Sequence, residues 1–88
     1  MRLDKFLKVS RLIKRRSLAK EIAEQNRIKV NNHIAKPSYQ VEIGDEIEIT
    51  FGQSIVTVKV TDVKEHVRKE EAKQLYEVIK EEKINRDE

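Results

Sequence analysis

The chain has 88 residues, with 19 Lys or Arg, 16 Asp or Glu and a net charge of +3. This length suits one small domain with an appendage and is too short for a catalytic domain with a deep pocket. The lack of cysteine excludes disulfides and thiolate metal sites, and no apolar run is long enough to cross a bilayer. We therefore expect a cytoplasmic protein with no membrane partner.

Positive charge is concentrated at the start of the chain. Residues 1–30 contain ten Lys or Arg and three Asp or Glu, giving +7, whereas residues 31–88 contain nine and thirteen, giving −4. A basic half followed by an acidic half favours an N-terminal surface that binds polyanions over a uniformly charged surface. Nucleic acid is the polyanion that this distribution predicts.

The first predicted element is a helix over residues 2–9. Leu3, Phe6 and Leu7 share one helical face, so Phe6 is expected in the core and not on a base-stacking surface. Residues 10–16 place two aliphatic side chains among four cations. They could form either a loop or a helical turn.

A second amphipathic helix is predicted to begin at Ser17, which is a favourable N-cap residue. It should end near Gln25, with Asn26 in the left-handed conformation that asparagine tolerates. Three cations, Lys14-Arg15-Arg16, precede the helix, whose first turn carries unpaired backbone N–H groups. This arrangement suits a bound phosphate.

A compact antiparallel sheet is predicted in the middle of the chain. Polar and apolar residues alternate over residues 27–30, 39–43, 47–51 and 55–63. Turn-forming residues separate these segments, namely Asn31-Asn32, Lys36-Pro37-Ser38, Gly44-Asp45 and Gly52-Gln53-Ser54. We expect this sheet to pack on the two N-terminal helices.

The C-terminal part is predicted to be a helix over residues 69–83. Ala72, Leu75, Tyr76 and Ile79 recur at helical spacing among Glu and Lys. This tail could dock on the domain or wait for a partner. We therefore divide the chain into a domain over residues 1–64 and a C-terminal helical tail over residues 65–88.

Catalytic groups are not evident in the sequence. His33 and His66 are the only histidines, and neither has a neighbour at triad or metal-ligand spacing. There is no P-loop and no paired-glycine fingerprint. We expect a protein that is not an enzyme and that binds no metal or cofactor.

The order of motifs resembles the S4 (alpha-L) RNA-binding domain over about residues 1–60. The resemblance rests on Ser17 to Asn32, on Lys36-Pro37-Ser38 and on Gly44-Asp45-Glu46-Ile47. Asn26 and Asn32 stand where that pattern usually has glycine, and both can adopt positive φ. The resemblance implies an α+β, S4-like fold, with two short helices packed on a small antiparallel sheet and here followed by the C-terminal helix.

Residues 1–16 and the tail from Lys69 to Lys83 are more specifically similar to the RqcP family of bacterial ribosome quality control proteins. That resemblance implies binding to stalled large ribosomal subunits that carry peptidyl-tRNA. It also implies contacts with 23S ribosomal RNA and with the tRNA, and support of alanine tailing of the nascent chain together with RqcH. We expect the protein to be a monomer.

Structured RNA is recognised mostly through phosphates, 2′-hydroxyls and shape, which suits the cations near the two helices. The predicted RNA-binding residues are Arg2, Lys5, Lys8, Arg11, Lys14, Arg15, Arg16 and Lys20. Residues that could support them are Asp4, Ser17, Arg27, Lys29 and Lys36. For Asp4, an intramolecular role that orients Arg or Lys is favoured over direct contact with RNA.

Other functions compatible with these patterns fall into two classes. Within RNA binding, the chain could be a heat-shock-type S4 protein that recognises dissociated large subunits without a role in tailing. In a different class, it could be a helix-turn-helix DNA-binding regulator, although no dimerisation heptad and no second reading helix is evident. An S4-containing RNA-modifying enzyme would need a second domain.

Overall fold

The fold, taken from a computed structural model that describes residues 1–84, begins with two short helices. Helix α1 spans Leu3–Val9 and helix α2 spans Arg16–Glu24. The apolar face predicted for the first helix is confirmed, because Leu3, Phe6 and Leu7 are fully buried. Phe6 is therefore a core residue.

Residues 10–16 could have formed either a loop or a helical turn. The structure shows a loop that connects the two helices. Ser10 caps α1, and Arg11 follows it with φ +64°, in the left-handed region. The Ile13 N–H donates to the Leu7 carbonyl at 3.0 Å, which folds the loop back on α1 and buries the Ile13 side chain. The loop thus presents its basic residues to solvent around an aliphatic anchor.

The predicted left-handed asparagines are confirmed. Asn26 has φ +61° after the end of α2, and Asn32 has φ +71° in the turn that follows the first strand. Asn31 shares that conformation, with φ +52°. Asparagine tolerates this region better than most non-glycine residues, so the backbone path of the S4 pattern is kept without glycine.

Five antiparallel strands form one sheet, namely β1 Ile28–Val30, β2 His33–Ile34, β3 Glu46–Phe51, β4 Ser54–Val60 and β5 Tyr76–Lys83. Their order across the sheet is β2-β1-β3-β4-β5. Residues 39–43 alternate in sequence but form only one isolated bridge, between Gln40 and Arg2. Instead, this segment is hydrogen-bonded to the start of α1, where the Leu3 N–H donates to the Tyr39 carbonyl at 2.7 Å.

One face of the sheet packs on the helices, and the other face is polar. Buried residues of β1, β3 and β4, among them Ile28, Ile47, Ile49 and Val58, join the α1 and α2 side chains in a single core. The opposite face carries charges that face each other across strands. Lys29 lies opposite Glu48, and Lys59 lies between Glu46 and Glu77.

The helix predicted over residues 69–83 is wrong for its second half. A 3₁₀ helix spans Lys69–Leu75, and the chain then continues as β5 alongside β4. Tyr76, Val78 and Ile79 favour a strand, and β4 offers a row of backbone groups that a helix would leave unpaired. Residues 85–88 of the predicted tail lie outside the described residues.

The C-terminal segment is docked on the domain. Leu75 is buried in the same core as α1, and its carbonyl accepts the Thr61 N–H at 2.9 Å. Ala72 is buried, whereas Ile79, which the helical spacing grouped with it, is exposed. The division of the chain after Lys64 stays a proposal about which part can fold alone.

Candidate RNA interface

A buried carboxylate joins the two helices at the basic end of the molecule. Asp4 lies in the first turn of α1, and only 3% of its side chain is exposed. Its Oδ1 accepts the Lys5 N–H at 2.8 Å. Arg2 donates to both carboxylate oxygens, at 3.2 and 3.3 Å, and Arg16 Nη2 donates to Oδ1 at 3.5 Å. We call Arg2, Asp4 and Arg16 the Asp4 cluster.

The Asp4 cluster holds its carboxylate in the charged form. Burial by itself raises the pKa of Asp4, but the hydrogen bonds and charges of Arg2 and Arg16 outweigh it, so the pKa lies below its ordinary value. A buried charge is tolerated when ion pairs and hydrogen bonds satisfy its oxygens, as they do here. Asp4 thus pairs intramolecularly with Arg2 and Arg16, and its role in orienting them toward RNA stays a prediction.

Both arginines of the Asp4 cluster remain available to a ligand. Their side chains are 44% exposed for Arg2 and 48% exposed for Arg16. A guanidinium has five N–H donors in a rigid fork, and the ion pairs with Asp4 use only some of them. The free donors are therefore fixed in direction, a geometry that suits the oxygens of a phosphate group.

The start of α2 differs from the prediction. The N-cap is Arg15, in extended conformation, and no side chain caps the helix, so the N-cap role expected of Ser17 is wrong. The Ala19 N–H donates to the Arg15 carbonyl at 3.0 Å, so the first turn of the helix closes two residues earlier than predicted. Arg16, the first residue of the helix, also pairs with Asp4, and the local sequence does not reveal this contact between the two helices. Arg15 and Ser17 are exposed.

A shallow cleft of about 380 Å³ adjoins the Asp4 cluster. Arg2, Lys20 and Lys36 are among its lining residues, together with Pro37 and Ser38. The Asp4 N–H donates to the Pro37 carbonyl at 3.2 Å, and this bond brings the segment with Lys36 against the start of α1. The structure thus places Lys20 and Lys36 beside Arg2, as one basic surface.

Three other predicted cations lie at the opposite end of α1. Lys8, Arg11 and Lys14 line a second cleft, of about 670 Å³. Its other wall comes from the C-terminal part of the chain and includes Glu65, His66 and Lys69. Sequence reasoning missed His66 and Lys69 as members of this surface, because only the three-dimensional fold brings them to α1.

Lys5, Arg27 and Lys29 are engaged elsewhere. Lys5 forms an ion pair with Glu65, and this hydrogen bond and charge lower the pKa of Glu65. Arg27 donates to the Thr50 carbonyl at 2.9 Å, so it helps to fasten the sheet. Lys29 alternates with the buried Ile28 and Val30 and lies on the polar face, away from the helices.

Comparison with known proteins agrees with the fold. The family model described as S4 domain matches residues 1–47. A solved structure of the same fold is the trimeric Heat Shock Protein 15 of Vibrio cholerae, with a TM-score of 0.84 and 38% identity, covering 90% of this chain and 81% of that one. The class of protein is thus an S4-domain protein.

Two curated relatives match over nearly their whole length. RQC P-site tRNA stabilizing factor of Halalkalibacterium halodurans is 66% identical over 100% of both chains. The factor of the same name from Bacillus subtilis is 58% identical, covering 96% of this chain and 98% of the relative. This chain belongs to the family of RQC P-site tRNA stabilizing factors.

Residues 1–84 contain no group of three His, Cys, Asp or Glu side chains able to hold a metal ion. Within the same residues, no helix is both long and apolar enough to cross a membrane. What the described site can offer a ligand is positive charge and oriented N–H donors.

Proposed function

We propose that this protein binds RNA of the large ribosomal subunit through the Asp4 cluster and stabilises a tRNA on that subunit during ribosome quality control. The observation that carries the proposal is the Asp4 cluster itself, in which one buried carboxylate aims two half-exposed arginines outward. The identity with RQC P-site tRNA stabilizing factors supports the choice of tRNA and ribosome as partners.

The finer assignments extend this proposal. The ribosomal ligand is 23S ribosomal RNA, the tRNA is a peptidyl-tRNA left on the subunit after stalling, and the protein acts as a monomer beside RqcH. By holding the tRNA in place it supports alanine tailing of the nascent chain. It contributes binding energy and no catalytic group, so its activity is that of a factor and not of an enzyme.

Simultaneous contact with two RNAs explains how a small protein can have a large effect. Once the protein is bound to the subunit, its contact with the tRNA becomes intramolecular, with a high effective concentration. Modest individual contacts can then retain a tRNA that lacks the support of mRNA and small subunit. The contacts with both RNAs then involve phosphates, and their strength depends on the salt concentration.

Crosslinking tests the proposal. The protein is irradiated on large subunits that carry peptidyl-tRNA, and the adducts are mapped on both RNAs. Adducts on ribosomal RNA and on tRNA are expected. The binding curve should also weaken steeply with salt, with log affinity falling by roughly 0.7–0.9 per phosphate contact for each tenfold rise in salt. Binding that is insensitive to salt would contradict recognition through phosphates.

A heat-shock-type role is the second candidate, because the solved Heat Shock Protein 15 structure is similar over 90% of this chain. In that case the protein would recognise dissociated large subunits without holding tRNA. Adducts confined to ribosomal RNA would favour this role over tRNA stabilisation. Preferential binding to duplex DNA over large subunits would contradict both.

A further inference from the structure

The cleft at the far end of α1 is a second basic surface, which we call the Lys8 groove. It is lined by Lys8, Arg11 and Lys14 on one side and by Glu65, His66 and Lys69 on the other. Its four Lys and Arg side chains are exposed, and none of them forms an ion pair with another residue of the described part, 1–84. Four cations therefore face one cleft with a single carboxylate, that of Glu65.

Arg11 has a left-handed backbone at the position that follows the C-cap of α1. Arg11 has φ +64°, and within residues 1–84 the other non-glycine residues with positive φ are asparagines, at positions 26, 31 and 32. Glycine or asparagine would adopt this conformation more easily than arginine. A left-handed residue commonly ends a helix, and here it begins the loop whose cations line the groove.

The Lys8 groove is separate from the Asp4 cluster. Arg2 precedes the first turn of α1 and Lys8 lies in its last turn, a separation of about 9 Å along a helix axis. The Lys36-containing cleft beside the Asp4 cluster shares no lining residue with the groove. Between the two surfaces, Lys5 is neutralised by Glu65. The positive surface is thus interrupted along α1.

The lining of the groove indicates what it could bind. It contains no Phe, Tyr or Trp, so apart from the His66 ring it lacks the aromatic platforms on which unpaired bases stack. Lys and Arg on both walls suit the phosphates of a nucleic-acid backbone, which fix position without reading sequence. A ligand that follows the cleft would contact both the α1 side and the C-terminal wall.

We propose that the Lys8 groove binds the sugar–phosphate backbone of a second RNA segment, different from the one at the Asp4 cluster. The inference rests on the proposed function and deepens it, because it assigns the two RNA contacts to two surfaces. The second segment belongs either to the tRNA or to another part of the ribosomal RNA. In either case the C-terminal segment takes part in binding through Lys69.

The test uses a variant that removes charge from the groove without harming the fold. Arg11→Asn places a residue suited to positive φ at that position, and Lys14→Ala truncates an exposed side chain; the two are combined. Arg16→Ala probes the other surface, and Lys59→Ala on the polar face of the sheet is the matched control. Thermal melts confirm that each full-length variant is folded.

Each variant is crosslinked on large subunits that carry peptidyl-tRNA, and its affinity is measured for purified tRNA and for subunits free of tRNA. The Arg11→Asn/Lys14→Ala chain should lose one set of adducts and roughly tenfold or more in affinity for the RNA concerned. Arg16→Ala should lose a different set. Loss of tRNA adducts by the groove variant identifies tRNA as the ligand, and loss of ribosomal adducts identifies a second rRNA segment.

Two results would overturn the inference. If the groove variant retains every adduct and its parental affinities while Arg16→Ala does not, the groove has no RNA ligand and the proposed function stands. If both variants lose the same adducts, one RNA segment covers both surfaces. Failure of the proposed function itself would be recognised separately, because Arg16→Ala would then bind large subunits like the parent.

Discussion

The N-terminal helices and the C-terminal segment are both rich in charge, but they use it differently. At α1 and α2 the one acid of the Asp4 cluster is buried, and the arginines around it are directed to solvent. In β5 the charges are of both signs and in part pair with each other, as Lys80 does with Glu82. The first region is built to attract an anion, whereas the second contributes mainly a strand and the Leu75 anchor to the fold.

The largest expected effect is on stability and comes from the C-terminal segment. Leu75→Ala removes a fully buried side chain, and we expect it to lower the free energy of unfolding by about 2–5 kcal/mol. For a domain of this size the melting temperature should fall by roughly 10 °C or more. Below its melting temperature the variant should bind large subunits with parental affinity.

Ile79→Ala is the control for Leu75→Ala, because Ile79 is 48% exposed and should cost far less stability. A chain that ends at Lys64 tests the proposed domain boundary. We expect this shortened chain to melt cooperatively at a lower temperature than the parent. An unchanged melt for Leu75→Ala would mean that the C-terminal segment is not part of the core.

The next effect concerns binding and comes from the N-terminal helices. Arg16→Ala removes a charged donor, which should weaken binding to large subunits by about 1.5–3 kcal/mol if it contacts phosphate. Its half-exposed ion pair with Asp4 should change stability by no more than about 1 kcal/mol. Co-sedimentation and a thermal melt of the same sample separate the two quantities.

Arg16→Lys sharpens this result, because lysine keeps the charge but lacks the planar fork. Intermediate binding by Arg16→Lys would indicate directed contact with a phosphate. Equal binding by the parent and Arg16→Ala would remove the basis for assigning the interface to the Asp4 cluster.

A smaller effect should appear in the pH dependence of stability. The pKa of Asp4 is lowered in the folded state, so its contribution is fully present above the unfolded pKa of about 3.9 and is lost as pH falls through the folded value. Asp4→Asn should cost about 1–2 kcal/mol at neutral pH. Its melting temperature should then fall less than that of the parent between about pH 5 and pH 2.

Parallel acid profiles for the parent and Asp4→Asn would show that the ion pairs with Arg2 and Arg16 do not favour folding. Glu65 is a useful comparison, because its carboxylate is exposed and its pairing with Lys5 lies in solvent. Glu65→Gln should leave the acid profile close to that of the parent.

The smallest effect is expected on the polar face of the sheet. Lys59 lies opposite Glu46 and Glu77, so its charge is balanced locally. Lys59→Ala should change stability by less than about 0.5 kcal/mol and leave RNA binding unchanged. A large loss of binding in this variant would mean that the RNA also reaches the sheet, and the contrast between the two regions would no longer hold.

The sequence was informative where local rules decide the structure. The apolar spacing of α1, the left-handed Asn26 and Asn32, and the alternation of β3 all followed from short-range patterns. An intramolecular partner role was favoured for Asp4 because it is an isolated acid among cations, and its contacts with Arg2 and Arg16 are intramolecular. Its partner in α2, Arg16, lies twelve residues away, so no local pattern shows this contact or the start of the helix before Ser17.

The errors arose where tertiary contacts override local preference. Residues 76–83 have helical spacing, but the unpaired side of β4 offers backbone hydrogen bonds along a whole strand. Similarly, the Lys8 groove is lined by residues from both segments 8–14 and 65–69. A local sequence pattern cannot predict that two segments so far apart in the chain lie side by side. The candidate RNA surface was therefore predicted as a set of residues but not as two separate clefts.

Strand β5 also bears on how the protein behaves at high concentration. It forms one edge of the sheet, and an edge strand can add the strand of another molecule. Its pairing with β4 shifts register between Thr57 and Val58 of β4. The strand also carries five charged side chains, Glu77, Lys80, Glu81, Glu82 and Lys83. Both features hinder such addition. The β5 edge is thus protected against strand-by-strand aggregation, so solutions of the protein should stay dispersed without a partner covering that side.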